Sequence, residues 1–73
     1  MDHKLLEIIN VVRKNKGVDP VFGLNEDTDL RTDLGFDSLD LAELTVRIER
    51  ETGVDIFADG FVRTVSDIQQ KLK

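Results

Sequence analysis

The segment Leu34 to Leu44 reads LGFDSLDLAEL and places Ser38 between Asp37 and Leu39, where a stretch of glycine and short polar residues gives way to helical spacing. A hydroxyl at such a boundary has two chemical uses. As a helix cap, its oxygen accepts a hydrogen bond from a first-turn amide. As an attachment point, it would hold a phosphate ester beside first-turn N–H groups whose partial positive charge favours an anion. Gly35, lacking a Cβ, would let another molecule come close to the loop. The two uses are compatible, and either Asp37 or Ser38 can serve as the cap.

Other chemistries find little support. The chain has one histidine, no cysteine and no tyrosine, so few side chains could act as a nucleophile with its own positioned base. His3 falls near a terminus, where fixed geometry is hard to hold. Asn25, Asp27 and Asp29 match the first three ligand positions of an EF-hand loop. Leu30, however, replaces the glycine such a loop needs, and Phe36 stands where its bidentate glutamate belongs. Asp37 and Asp40 could in principle do acid-base work, but carboxylates in a first helical turn more simply cap the helix and complement its dipole. Neither a Walker loop nor G-x-G-x-x-G occurs, which leaves nucleotide binding without a motif.

The elements that must position Ser38 follow from periodicity. Leu5, Ile8, Ile9 and Val12 recur at i, i+3, i+4, i+7 and predict an amphipathic helix over about residues 3–16, stopped by Gly17. A second helix is expected over 38–52, with Leu41, Leu44 and Ile48 on one face, Thr45 and Thr52 at its border, and Gly53 at its end. Thr64 with Asp67 three residues on is a capping-box signal for a last helix, whose buried stripe is Val65, Ile68 and Leu72. A short turn or helix is expected near 59–63. Between the first two helices, residues 17–37 predict a long ordered loop pinned by Val21, Phe22, Leu24, Leu30 and Leu34. Leu44, Ile48, Ile56, Phe61 and Ile68 read first as packed interior. The expected fold is all-α: a small bundle of three main helices plus one short helix, with residues 1–73 forming a single domain.

Size and charge narrow the partners. A 73-residue chain buries only roughly 60% of its unfolded surface, and without cysteine no disulfide staples it. Fifteen acids against ten bases give a formal charge of -5, which disfavours nucleic acid and anionic membranes and favours a basic protein partner. No apolar run approaches the ~20 residues of a membrane span, and no signal-peptide core is evident, so a cytoplasmic location is expected. On the second helix, Leu39 and Val46 fall opposite the core stripe, beside Glu43, Ala42, Glu49 and Arg47. That pattern suits recognition of the helix face by a partner with apolar and basic groups.

The string Leu34, Gly35, Asp37, Ser38, Leu39, Glu43, Leu44 resembles the LGxDSLxxxEL pattern of the acyl carrier protein family, together with the related peptidyl and D-alanyl carriers. The resemblance extends over essentially the whole chain, including the TVSDI start of the last helix. It implies an acyl-carrier-like bundle that is not an enzyme. It also implies that a phosphopantetheinyl transferase moves 4'-phosphopantetheine from coenzyme A to Ser38, with Asp37, Leu39 and Gly35 around the attachment point. The cofactor would supply the thiol that the chain lacks and carry acyl groups as thioesters. Acyl-loading, synthase or acyltransferase enzymes of fatty-acid, polyketide or related biosynthesis would then dock on the second helix at Leu39, Glu43, Val46 and Glu49. A monomer is expected, with no metal. The alternatives are a peptidyl or D-alanyl carrier loaded by an adenylating enzyme, or an unmodified helical interaction module.

Departures from the resemblance point to a specialised bacterial member. RETGVDIF places Phe57 where housekeeping carriers usually have proline. Arg47, Arg50 and Arg63 dilute the acidic face, and FADGFVRTVSDI is less acidic than the usual third-helix region.

Overall fold

The structure, a computed structural model, describes residues 2–58 and 60–72, apart from the side chain of Asp2. Its helices are α1 (Asp2–Asn15), α2 (Ser38–Thr52) and α3 (Val65–Lys71). Among the described residues there is no strand, only one isolated antiparallel bridge between Asp29 and Thr64. α1 and α2 lie within a residue of the spans expected for them, about 3–16 and 38–52. At the end of α2, Gly53 takes a left-handed conformation, φ +77°, and its N–H donates to the Glu49 carbonyl at 2.7 Å. A residue with a Cβ reaches that conformation only at a cost, which is why glycine ends the helix there.

The expected helical stripes form the interior. Leu5, Ile8, Ile9 and Val12 of α1 meet Leu41, Leu44 and Ile48 of α2 and Val65 and Ile68 of α3 in one buried cluster. Leu30, Leu34, Phe36, Ile56 and Val62 complete it from the connections, and Leu72 is only partly buried. Thr45 and Thr52, at the border of the α2 stripe, return their hydroxyls to the Leu41 and Ile48 carbonyls at 2.8 and 2.7 Å.

Residues 16–37 contain turns but no helix, and they are fastened at both ends. Asn10 exchanges two hydrogen bonds with the Val21 backbone, at 2.8 and 2.9 Å. Farther on, Leu30 N–H donates to the Arg63 carbonyl at 2.8 Å, and Val65 N–H donates to the Thr28 carbonyl at 3.0 Å. The long connection thus carries α3 on its own backbone.

Three expectations need correction. Phe22 does not pin the loop: it is 94% exposed, while Phe36 takes the buried place. Phe61 is not interior either, at 97% exposed. The short helix expected near 59–63 is not formed over 60–63; a turn covers 56–58, and Asp59 lies outside the described residues. Gly60, at φ +134°, lies far from the helical region of backbone conformation, which interrupts a helix there.

Candidate functional site

Asp37, not Ser38, is the cap of α2. Asp37 lies in an extended conformation, φ -97° and ψ -172°. Its Oδ1 accepts the Asp40 N–H at 2.9 Å, while Asp40 Oδ2 accepts the Asp37 N–H at 3.0 Å, a reciprocal capping box. The cap having been supplied by its neighbour, Ser38 becomes the first residue of α2. Its side chain is exposed and makes no hydrogen bond among the described residues. A hydroxyl with no structural duty is one that chemistry can use.

Gly35 precedes it by one turn of loop. Its φ is +72°, and a Cβ built there would meet nothing within 4 Å, so within the domain the glycine is required by its conformation rather than by crowding. Gly35 N–H donates to the Arg31 carbonyl at 3.0 Å, and Phe36 N–H donates to the Leu30 carbonyl at 3.0 Å. From the last turn of α1, Arg13 Nη1 donates to the Leu34 carbonyl at 2.7 Å, and just past its end Lys16 Nζ donates to the Gly35 carbonyl at 2.5 Å and to Asp40 Oδ2 at 2.6 Å.

Beside Ser38 runs a groove of about 510 Å³. Leu41, Ala42 and Val46 of α2 form one wall, Phe57, Phe61 and Val62 another, with Arg31 and Asp55 as its charged members. Phe61, displaced from the interior, therefore flanks the site.

The acids of α2 differ in availability. Burial would raise the Asp40 carboxyl, but the hydrogen bond from Lys16, the Asp37 N–H and the lysine's charge outweigh it and hold the group below its ordinary value. Glu43 is held low by hydrogen bonds from Arg47 and Asn15 against the opposing effect of burial. Its Oε2 accepts from Asn15 Nδ2 at 2.7 Å and from Arg47 Nε at 2.8 Å. Glu43 is thus engaged inside the domain, whereas Glu49 is exposed and has no ion pair among the described residues. Leu39 and Val46 project outward as their spacing predicts, 80% and 53% exposed. His3 sits far from this chemistry in sequence and pairs with Glu7 at 3.1 Å on the exposed side of α1.

Ser38, Asp37, Leu39 and Val46, singled out from the sequence, lie exposed along the start and outer face of α2, whereas Asn10, Arg13, Asn15 and Lys16 were not singled out as anchors. Nothing local shows that Arg13 and Lys16 reach chain positions about twenty residues away.

An exposed, unbonded serine at the start of a helix, beside an apolar groove, has the room and the free hydroxyl that a covalently attached arm requires. A family profile described as "Phosphopantetheine attachment site" matches residues 6–72. An acyl carrier protein of Saccharopolyspora erythraea is 41% identical over 58 residues, 77% of this chain and 60% of the relative. The chain thus matches along about three-fifths of that relative's length. No solved structure matches the chain significantly. Among the described residues no helix is long and apolar enough to cross a membrane. With nearly its whole length matched by the attachment-site profile, the chain belongs to the phosphopantetheine-binding acyl carrier family, whose cofactor is a covalently attached 4'-phosphopantetheine.

Proposed function

We propose that the chain is a non-catalytic acyl carrier whose 4'-phosphopantetheine is attached at Ser38. The observation that carries this reading is the Ser38 hydroxyl, exposed and unbonded at the first position of α2 inside the matched domain. In the modification, Ser38 Oγ attacks the pantetheine-bearing phosphorus of coenzyme A. The new Oγ–P bond replaces the bond to the leaving adenosine 3',5'-bisphosphate, and the serine proton passes to a base of the transferase. Ser38 needs no activating neighbour in its own domain, because the transferase supplies base, metal and coenzyme A. The attached group supplies a thiol on a flexible arm, which keeps cargo at high effective concentration around a docked enzyme.

Partner enzymes dock on α2. Leu39 and Val46 provide the apolar contact, and Glu49, being unpaired among the described residues, is better placed than Glu43 to meet a partner's basic group. If Leu39→Arg, in a domain that still folds, left transferase and loading rates unchanged, the docking assignment would be wrong. The reading places the carrier in the cytoplasm as a monomer serving a bacterial acyl pathway, a role supported by its charge of -5 and its kinship to the Saccharopolyspora protein.

The test is intact-protein mass spectrometry after incubation with coenzyme A, magnesium and a promiscuous phosphopantetheinyl transferase, with Ser38→Ala alongside. A phosphopantetheine increment on the wild type alone is expected. An increment retained by Ser38→Ala, or none on folded wild type with several transferases, refutes the assignment. The mass of the species loaded in cells then separates acyl from aminoacyl cargo.

A further inference from the structure

One ammonium group holds the chain on both sides of Ser38. Lys16 Nζ donates to the Gly35 carbonyl, three residues before the serine, and to the Asp40 carboxylate, two residues after it. The pair is sheltered, the lysine side chain 27% and the aspartate 12% exposed, so solvent screens it less than an open surface pair. Asp40 Oδ2 is also the oxygen that receives the Asp37 N–H in the capping box. The lysine therefore joins the loop and the helix cap through a single shared acceptor.

Arg13 adds the other half. It donates to the Leu34 carbonyl, and Lys16 to that of Gly35, so the peptide planes on the two sides of the Gly35 Cα are each held by a cation of the α1 end. The orientation of those planes is what φ and ψ of Gly35 describe. Glycine is the residue with the widest backbone freedom, and here it sits at φ +72° three positions before the reactive serine. Freed from α1, this position would let the approach to Ser38 wander.

We propose that Lys16 is a positioning residue for the modification of Ser38, holding Gly35 and the Asp37–Asp40 capping box so that the hydroxyl meets coenzyme A in one orientation. The inference rests on the attachment of phosphopantetheine at Ser38. Transfer needs the serine oxygen in line with the phosphorus, and loss of that alignment lowers the rate within the bound complex. Val46 docks from the body of α2, six residues beyond Asp40, so that contact survives when the loop and cap are loosened. The effect falls on kcat rather than on KM.

The sign of the effect separates this role from plain charge. Deleting a surface cation from an acidic carrier strengthens its attraction to a basic transferase and lowers KM. Losing a positioning contact lowers kcat. Steady-state kinetics of transfer, with the carrier as varied substrate and product followed by intact mass, would compare wild type, Lys16→Met, Lys16→Arg and Lys14→Met. Lys14, in the last turn of α1 two residues before Lys16, is exposed and has no ion pair among the described residues, so its substitution repeats the charge change alone.

The expected result is a kcat about tenfold lower in Lys16→Met, as for a competent loop population of about one in ten. KM should not rise, Lys16→Arg should recover most of the rate, and Lys14→Met should keep the wild-type kcat. Amide exchange at Phe36 and Asp37 should quicken in Lys16→Met only. An unchanged kcat in folded Lys16→Met, or an equal loss in Lys14→Met, overturns the inference while leaving the carrier reading intact. Should Lys16→Met fail to fold, Asp40→Asn keeps a capping oxygen but removes the ion pair. It is expected to lower kcat at least threefold, and no loss there also overturns the inference. A wild type that accepts no phosphopantetheine removes both.

Discussion

Asp37 and Ser38 are adjacent polar residues that a sequence pattern treats as interchangeable caps, and the hydrogen bonds divide their roles. Asp37 spends its carboxylate on the Asp40 N–H, and Ser38 keeps its hydroxyl free. Asp37→Ala should therefore lose about 1 kcal/mol of stability, the usual effect of removing a cap. Ser38→Ala should stay within about 0.5 kcal/mol of wild type, as surface changes do. Urea unfolding of the two variants measures the difference, and an equal loss in both would show that the serine also caps. Four other carboxyls are held below their ordinary values by hydrogen bonds. Backbone N–H groups lower Asp29 through Thr32 and Asp67 through Arg63, against the opposing effect of burial, and Asp40 and Glu43 are lowered as described above. A carboxyl depressed in the folded state stabilises the fold fully above its unfolded value of about 4, and that stabilisation is lost as the pH falls through the lower folded value. Urea midpoints should hold between pH 7 and about 5 and drop steeply below about 4. A midpoint that is flat down to pH 3 would mean these carboxylates contribute nothing net.

Helix boundaries were the most legible feature because each is set by residues that lie within a turn of it. Gly53 ends α2, and the Thr64–Asp67 box opens α3, where Thr64 accepts the Asp67 N–H at 3.2 Å. The loop was read less well, since burial there depends on where the chain turns rather than on hydropathy. Phe22 and Phe36 look alike in composition, each beside a glycine, yet only the second is buried. A local signal did exist. Phe36 immediately precedes the cap, and Leu41 is the fourth helical residue, the two positions of a hydrophobic staple, and both belong to the core cluster. The staple fixes the angle at which the serine loop enters α2, so Phe36→Ala removes packing and entry geometry together. It should destabilise the domain by about 3–5 kcal/mol, against near zero for Phe22→Ala. Circular dichroism during thermal unfolding tests this, and comparable melting of the two variants would show that Phe36 is not an anchor. The lysine contact across Ser38 had no such signal: Lys16 and Asp40 stand 24 positions apart, and only the packing of α1 on α2 brings them together.

At the scale of the whole molecule, the helical class and the acidic charge were both legible, whereas the suspension of α3 from the loop backbone was not, because hydrogen bonds such as Leu30 N–H to the Arg63 carbonyl carry no side-chain signature. That suspension matters for stability. α3 has only 7 residues, too short to persist on propensity, and it depends on the loop and the core to stay in place. The same small body holds a charge of -5 within principal dimensions of 29 × 22 × 20 Å. Two or three Debye lengths at 0.1 M salt, each about 10 Å, span it, so at low salt its unpaired acids repel one another across the whole domain. Local attractions oppose this. Lys16–Asp40 and Arg47–Glu43 are short and partly sheltered, and salt weakens such pairs less than it weakens long-range repulsion between exposed acids. The balance favours relief of repulsion, since five acids remain in formal excess after every base is matched. Relief of about 1 kcal/mol corresponds to a rise of about 4–8 °C in Tm for a domain of this size. Calorimetry of the unmodified protein from 10 mM to 500 mM sodium chloride, buffered near pH 7, should therefore show Tm climbing by at least about 4 °C and levelling once the Debye length falls to a few ångströms. A Tm that falls with salt would instead assign the dominant electrostatic term to the short ion pairs joining α1 to the start of α2.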